Sequence, residues 1–145
     1  MILLSSALEL ELNNNIIMNN LIIDATGDNI FLVIISNKNI YTCTHENSKN
    51  NFEKLIILIN EFLKKNKVSI DEINKIYVNR GPGSFAGIRN SLSIVKGLFL
   101  TKNIDYYCFS FLDFNKSGII RYEDVPNLCS KFKIKKNLIN PIYMS

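Results

Sequence analysis

Three short apolar runs joined by two polar turns, followed by two helix-period segments that each deliver the chain into another strand, leave few folds open to this sequence. The runs are Leu21 to Asp24, Ile30 to Ser36 and Ile40 to Thr44, and their separators, Thr26-Gly27-Asp28 and Asn37-Lys38-Asn39, are rich in residues that tolerate positive φ. Separators this short force neighbouring strands to run antiparallel. From Asn51 to Lys65, Phe52, Leu55, Ile56, Ile59, Phe62 and Leu63 recur at helical spacing and make one apolar stripe, with Ile57 outside it. Ser69 and Glu72 form a capping box for a short turn that leads into a strand from Ile73 to Asn79. A second long helix spans about Phe85 to Lys102, with Phe85, Ile88, Leu92, Val95 and Phe99 as its core stripe, and Asp105 to Phe109 is the next strand. A strand reached through a covering helix pairs in parallel, so the expectation is an α/β lobe whose mixed sheet has about five strands and two long helices.

With 145 residues, 47% of them hydrophobic, the chain is long enough to bury a core without staples. Cys43, Cys108 and Cys129 are odd in number and widely spaced, which is neither a disulfide framework nor a zinc site and suits a reducing, cytoplasmic setting. A net charge of +4 is too small to argue for nucleic-acid binding on its own. No window offers the roughly 18 apolar residues that a membrane helix needs. Residues 1–17 lack a basic start and are interrupted by Glu9 and Glu11, so they read as a dispensable extension rather than an export signal.

The densest motif runs from Tyr77 to Arg89, a strand passing through Gly81-Pro82-Gly83 into a helix. Backbone amides at such a helix start can cradle an anion. No Gly-Lys-Ser/Thr follows, and Gly81, Gly83 and Gly87 miss the dinucleotide spacing, so a tight turn with close helix packing is the better explanation of a lone glycine loop of this kind.

As a longer string, Asn79-Arg80-Gly81-Pro82-Gly83-Ser84-Phe85-Ala86-Gly87-Ile88-Arg89, followed by Val95-Lys96-Gly97-Leu98, resembles the glycine-loop motif of the bacterial TsaB (YeaZ) family. Members of that family are accessory subunits of the machinery that makes threonylcarbamoyladenosine in tRNA. Leu21-Ile22-Ile23-Asp24 is similar to the family's first strand, and Phe109 to Asp113 and Pro141-Ile142-Tyr143-Met144 resemble later segments. Ala25 and Ala86 depart from the family pattern by removing hydroxyls, and only about 25 residues stand where members carry a second lobe.

The resemblance implies an actin-like, ribonuclease H-like single lobe over residues 18–114, with residues 115–145 as a remnant of the second lobe and a basic tail. It implies no chemistry of the chain's own: a non-catalytic scaffold that binds a TsaD-like catalytic subunit, which transfers a threonylcarbamoyl group to adenosine 37 of tRNA. A TsaE-like ATPase subunit joins the assembly, ATP and a divalent metal belong to the complex, a homodimer is an option, and tRNA is met only indirectly. Gly81, Pro82, Gly83, Ser84, Phe85, Gly87 and Arg89 would shape the partner surface, and Asp24 with Thr26 would be a remnant phosphate turn.

Opposite the core stripe of the second long helix, Ala86, Asn90, Ser93 and Gly97 form a strip nearly free of large side chains. Glycine inside a helix costs about 1 kcal/mol relative to alanine, so Gly97 argues for a close helix approach, and Ile57, off the stripe of the first helix, turns that expectation from an internal contact to an interface with a partner. A competing motif, Asp113 to Asp124, matches an EF-hand calcium loop at Asp113, Asn115 and Ser117 with Asp124 at its last position. A preceding strand and Pro126, which would interrupt an exiting helix, argue against it. Cys43 and His45 share a strand face but lack an orienting third group. Lys131 to Lys136 alternates basic and apolar residues, as a half-buried edge strand does.

Overall fold

The β1–β2–β3 meander is built as the alternation demands: β1 (Asn19–Asp24), β2 (Asn29–Ser36) and β3 (Asn39–Glu46) pair antiparallel, with Asp24 opposite Phe31 and Ser36 opposite Asn39. These coordinates are a computed structural model, which describes residues 18–37, 39–115 and 118–143. The expectations for residues 1–17, for the Phe52 side chain and for Ser117 lie outside the described residues. β4 (Ile73–Asn79) and β5 (Asp105–Phe109) then add in parallel on the other side of β1, giving the order β3-β2-β1-β4-β5. Among the described residues no helix is long and apolar enough to cross a membrane.

The first helical segment is two helices, α1 (Lys49–Glu53) and α2 (Leu55–Lys65), rather than one. Lys54 between them has ψ 9°, away from the helical well, which lets α2 turn Leu55, Ile59, Phe62 and Leu63 onto the sheet. Ile56 falls to the margin of that stripe and is 39% exposed, while Ile57 points out as its position implies. The Ser69–Glu72 capping box forms, with the Ser69 hydroxyl accepting from the Asp71 amide and Glu72 accepting from the Ser69 amide.

α3 (Phe85–Lys102) has the expected bounds. It starts at Ser84, whose hydroxyl accepts from the Gly87 amide, and stops at Asn103, whose left-handed φ of 58° closes the last turn. Ile88, Leu92 and Val95 bury the stripe, and Phe99 meets Tyr106 edge-on. Phe85 does not join them. It lies past the end of the sheet and packs on Tyr143 instead, so it is 55% exposed.

One face of the sheet, carrying Leu21, Ile23, Leu32, Ile34, Ile76, Val78 and Tyr106, is covered by α2 and α3. The opposite face, carrying Ile22, Val33, Tyr77 and Phe109, is covered by the segment after β5 through Phe114, Val125, Leu128 and Cys129. Pro126, expected to block a helix, sits in the first turn of α4 (Val125–Lys131), where the missing amide costs nothing. The run 131–136 is not a strand. α4 ends at Lys131, Lys133 turns left-handed, and the alternation arises because Phe132 and Ile134 pack beneath the sheet while the lysines between them face water.

Leu128 is 7% exposed in this second core, and truncating a buried leucine to alanine costs about 2–5 kcal/mol. Leu128→Ala should lower the urea midpoint accordingly, whereas Leu112→Ala, at a residue 75% exposed, should stay within about 0.5 kcal/mol of the parent. Equal midpoints for the two variants would show that α4 does not complete the core. Burial pushes the Cys108 and Cys129 thiols up to about 12, from 9.0. Above pH 9 the unfolded chain loses protons that the folded chain keeps, so stability is full below pH 9 and falls as pH rises towards 12. Urea midpoints taken through that window should decline, and a flat profile would contradict the burial of both thiols.

Candidate functional site

Asp24 ends β1 almost fully buried, beside Asn79 at the end of the parallel neighbour β4. A buried carboxylate needs donors, and four reach this one. Oδ1 accepts from the Thr26 amide at 3.0 Å and the Thr26 hydroxyl at 2.7 Å, so Asp24 and Thr26 do form a tight turn. Oδ2 accepts from Asn79 Nδ2 at 3.0 Å and from the Tyr122 hydroxyl at 2.6 Å. Tyr122 comes from the segment beneath the sheet, 98 residues further along the chain, and no local pattern marks it. Burial first, and the Asp24 charge second, push its phenol well above the ordinary tyrosine range, so it stays a donor.

Asn79 also accepts from the Gly81 amide at 3.0 Å, which carries the network into the glycine loop. The Gly81–Pro82 peptide is cis. Gly81 has φ +115°, and a Cβ there would overlap the Ile142 carbonyl oxygen. A Cβ on Gly87 would likewise overlap the Ala25 carbonyl oxygen, so the first turn of α3 lies directly on the β1–β2 connection. Ser84 reinforces that contact by donating its amide to Thr26 O at 2.8 Å. Gly83 forms a bridge with Tyr143, which brings the Pro141-Ile142-Tyr143 segment alongside the loop. The glycine loop is thus held by its own chain on both sides, and the residues it presents to solvent are Pro82, Phe85 and Arg89.

Arg80 fastens the same corner. Its guanidinium grips Asp113 through Nη2 at 2.6 Å and Nε at 3.3 Å and reaches Asn140 O at 3.1 Å. Asp113 Oδ2 further accepts from the Ser110 amide at 2.7 Å. This tells against the calcium reading: both Asp113 oxygens are taken by Arg80 and Ser110, and Asp124 turns to the Arg121 amide. Among the described residues no cluster of three His, Cys, Asp or Glu side chains could hold a metal ion.

Cys43 Sγ lies 3.7 Å from His45 Nε2, but burial raises the thiol's pKa, the opposite of what a nucleophile needs. On α3, Ala86, Asn90 and Gly97 are half-buried and Ser93 is exposed, and a Cβ on Gly97 would meet no atom within 4 Å. The strip therefore faces away from the sheet and is not core.

A tRNA threonylcarbamoyladenosine biosynthesis protein TsaB from Buchnera aphidicola subsp. Baizongia pistaciae (strain Bp) is 41% identical, over 43% of this chain and 32% of that protein. The TsaB of Buchnera aphidicola subsp. Schizaphis graminum (strain Sg) is 29% identical, over 63% of this chain and 44% of that protein. The family model for TsaD, tRNA N6-adenosine threonylcarbamoyltransferase, matches residues 43–119, just over half of the chain. The chain belongs to the TsaB/YeaZ family. It spans 32% to 44% of the length of these two curated TsaB relatives. The fold agrees: YeaZ from Pseudomonas aeruginosa superposes with a TM-score of 0.60 at 18% identity, over 64% of this chain and 44% of that one. The actin-like, ribonuclease H-like α/β lobe of the TsaB/YeaZ family is therefore the architecture described above.

Removing the Tyr122 hydroxyl leaves a buried carboxylate short of one donor, a loss of about 1–3 kcal/mol. Tyr122→Phe should lower the chemical denaturation midpoint by that amount with little change in slope. An unchanged midpoint would mean that water replaces the phenol and the contact is incidental.

Proposed function

We propose that this chain serves the biosynthesis of threonylcarbamoyladenosine in tRNA as a non-catalytic lobe that docks on a TsaD-like threonylcarbamoyltransferase subunit in the cytoplasm. The observation that carries this reading is the Asp24–Tyr122 contact. The carboxylate at the head of the glycine loop is engaged by Thr26, Asn79 and Tyr122, a corner held for rigidity rather than poised as a general base. In this reading the catalytic centre, the TsaE-like ATPase, ATP with its divalent metal, and the contact with tRNA all belong to other members of the assembly.

The partner surface is the outer side of α3 with the loop that starts it. Pro82, Phe85 and Arg89 project from the loop, and Gly81, Gly83, Ser84 and Gly87 hold them in place. Phe85, half-exposed against Tyr143, is the aromatic anchor that such interfaces favour. Ala86, Asn90, Ser93 and Gly97 allow a partner helix to approach closely, because open space lies over Gly97.

The test is co-expression with the catalytic subunit followed by size-exclusion chromatography. The parent chain should co-elute, while Ala86→Arg and Gly97→Leu should weaken binding at least tenfold and melt as the parent does. Failure of the parent to co-elute would refute the scaffold role. Normal binding by both variants would place the partner on another surface.

A further inference from the structure

We propose that the sheet face opposite α2 and α3 carries a pocket for a small phosphomonoester, one whose body also brings a hydroxyl or amino group. Strand alternation and register put Asn20, Lys75, Tyr77 and Tyr107 side by side on that face, in line with Ile22. α4 and the turn after it do not fill the space over these four residues. They leave a pocket of about 390 Å³, walled on its other side by Ser130 and Lys133. That is within the ~300–1,000 Å³ usual for small-molecule sites. A wall that only had to complete a core would be apolar, whereas this one sets an amide, an ammonium and two phenols against the sheet.

The positive charge in the pocket has no counterpart. Lys75 and Lys133 line it, no carboxylate among the described residues does, and neither lysine takes part in an ion pair among them. Asp105, paired with Lys75 across β4 and β5, is already held by Lys136 at 3.7 Å and by Asn137 Nδ2 at 2.8 Å. Lys75 lies instead over the Tyr107 ring, its Nζ 5.9 Å from the centroid, and Tyr107 stacks on Tyr77 at 5.1 Å. Tyr77 is 5% exposed and its hydroxyl bonds no described residue, although a buried phenol normally finds a partner. Burial first, then Cys129 and Tyr107, push that phenol above the ordinary tyrosine range, so it keeps its proton and has one to donate.

Two ammonium groups and a phenol make a donor set that calls for a ligand rich in acceptors and carrying two negative charges. A phosphomonoester meets both demands, with a charge of about −1.5 to −2 at pH 7 and three terminal oxygens. A carboxylate has one charge and two oxygens. Inorganic phosphate alone would leave most of the pocket empty and would bring nothing to Asn20, whose Oδ1 has no donor among the described residues. A hydroxyl or amino group on the body of the ligand supplies that donor. The pocket is on the opposite face of the sheet from α3, so it is independent of the docking surface proposed above.

Calorimetric titration of the full chain with ribose 5-phosphate tests this, with ribose, inorganic phosphate and oligouridylate as parallel titrants. Ribose 5-phosphate should saturate one site with a Kd of about 1 mM or tighter, and ribose should not bind. Inorganic phosphate should bind at least tenfold more weakly. Lys75→Gln should weaken ribose 5-phosphate at least tenfold, and so should Lys133→Gln, at an exposed position and with an unchanged melting curve. Tyr77→Phe removes a hydroxyl that has no partner in the protein, so it should weaken binding several-fold while melting no lower than the parent. A lower melting temperature for Tyr77→Phe would mean that the fold already satisfies the phenol, and would overturn the proposal. So would an absence of saturable binding, equal binding of ribose or of inorganic phosphate, or binding indifferent to Lys75→Gln and Tyr77→Phe. Binding of oligouridylate alone would overturn it too, and would make the two lysines part of a nucleic-acid surface.

Discussion

A single buried carboxylate ties the ends of this fold together. Asp24 sits where β1 leaves the sheet, and a charge there is tolerable only if donors surround it. Its donors come from three places: the turn that follows it, the neighbouring strand through Asn79, and the segment beneath the sheet through Tyr122. Satisfying Asp24 therefore aligns β1 with β4, shapes the turn on which Gly83 and Gly87 lie, and anchors the second face. Arg80 does the complementary work one residue beyond Asn79, joining β4 to Asp113 and to the 140–142 segment. The glycine loop is rigid because an acid on one side and a base on the other are both consumed in building it.

The two faces of the sheet were unequally legible in the sequence, and the reason is the range of the interactions. Strand alternation and the stripe of α3 are local, so β4, β5 and α3 could be placed to the residue from spacing alone. The second face is covered by a turn, a seven-residue helix and another turn, none long enough to show a period. The alternation of 131–136 was a true burial signal with the wrong geometry, since Phe132 and Ile134 reach the core from a turn as readily as a strand would let them. Phe85 failed for the opposite reason. Its helical phase was right, but the sheet ends before it and leaves only Tyr143 to cover it.

The candidate site was legible as a string and opaque as a network. Gly81, Gly83 and Gly87 announced close approach, yet what approaches them, Ile142, Thr26 and Ala25, lies in segments that their spacing cannot name. Asp113 looked like a calcium ligand because a capping aspartate and an EF-hand aspartate share the same short-range chemistry. Besides the strand that precedes it, the arrival of Arg80 from 33 residues away separates the two. Tyr122 is the extreme case, a polar tip on an aromatic body in a stretch with no pattern, recruited by a charge 98 residues earlier.

The surfaces left open are set by where the chain spends its own cover. α2 and α3 take one face, the α4 segment takes the other, and 136–137 takes the β5 edge, so exposed interaction chemistry remains on the outside of α3 and along β3. α3 rests on β4, β5 and β1, whereas β3 is the far edge, two strands beyond β1 in the other direction. A partner helix on α3 would pack side chain against side chain and leave the β3 edge untouched. Gly97→Leu fills space only on the outside of α3, so that surface can be altered by mutation without disturbing the packing that holds the sheet.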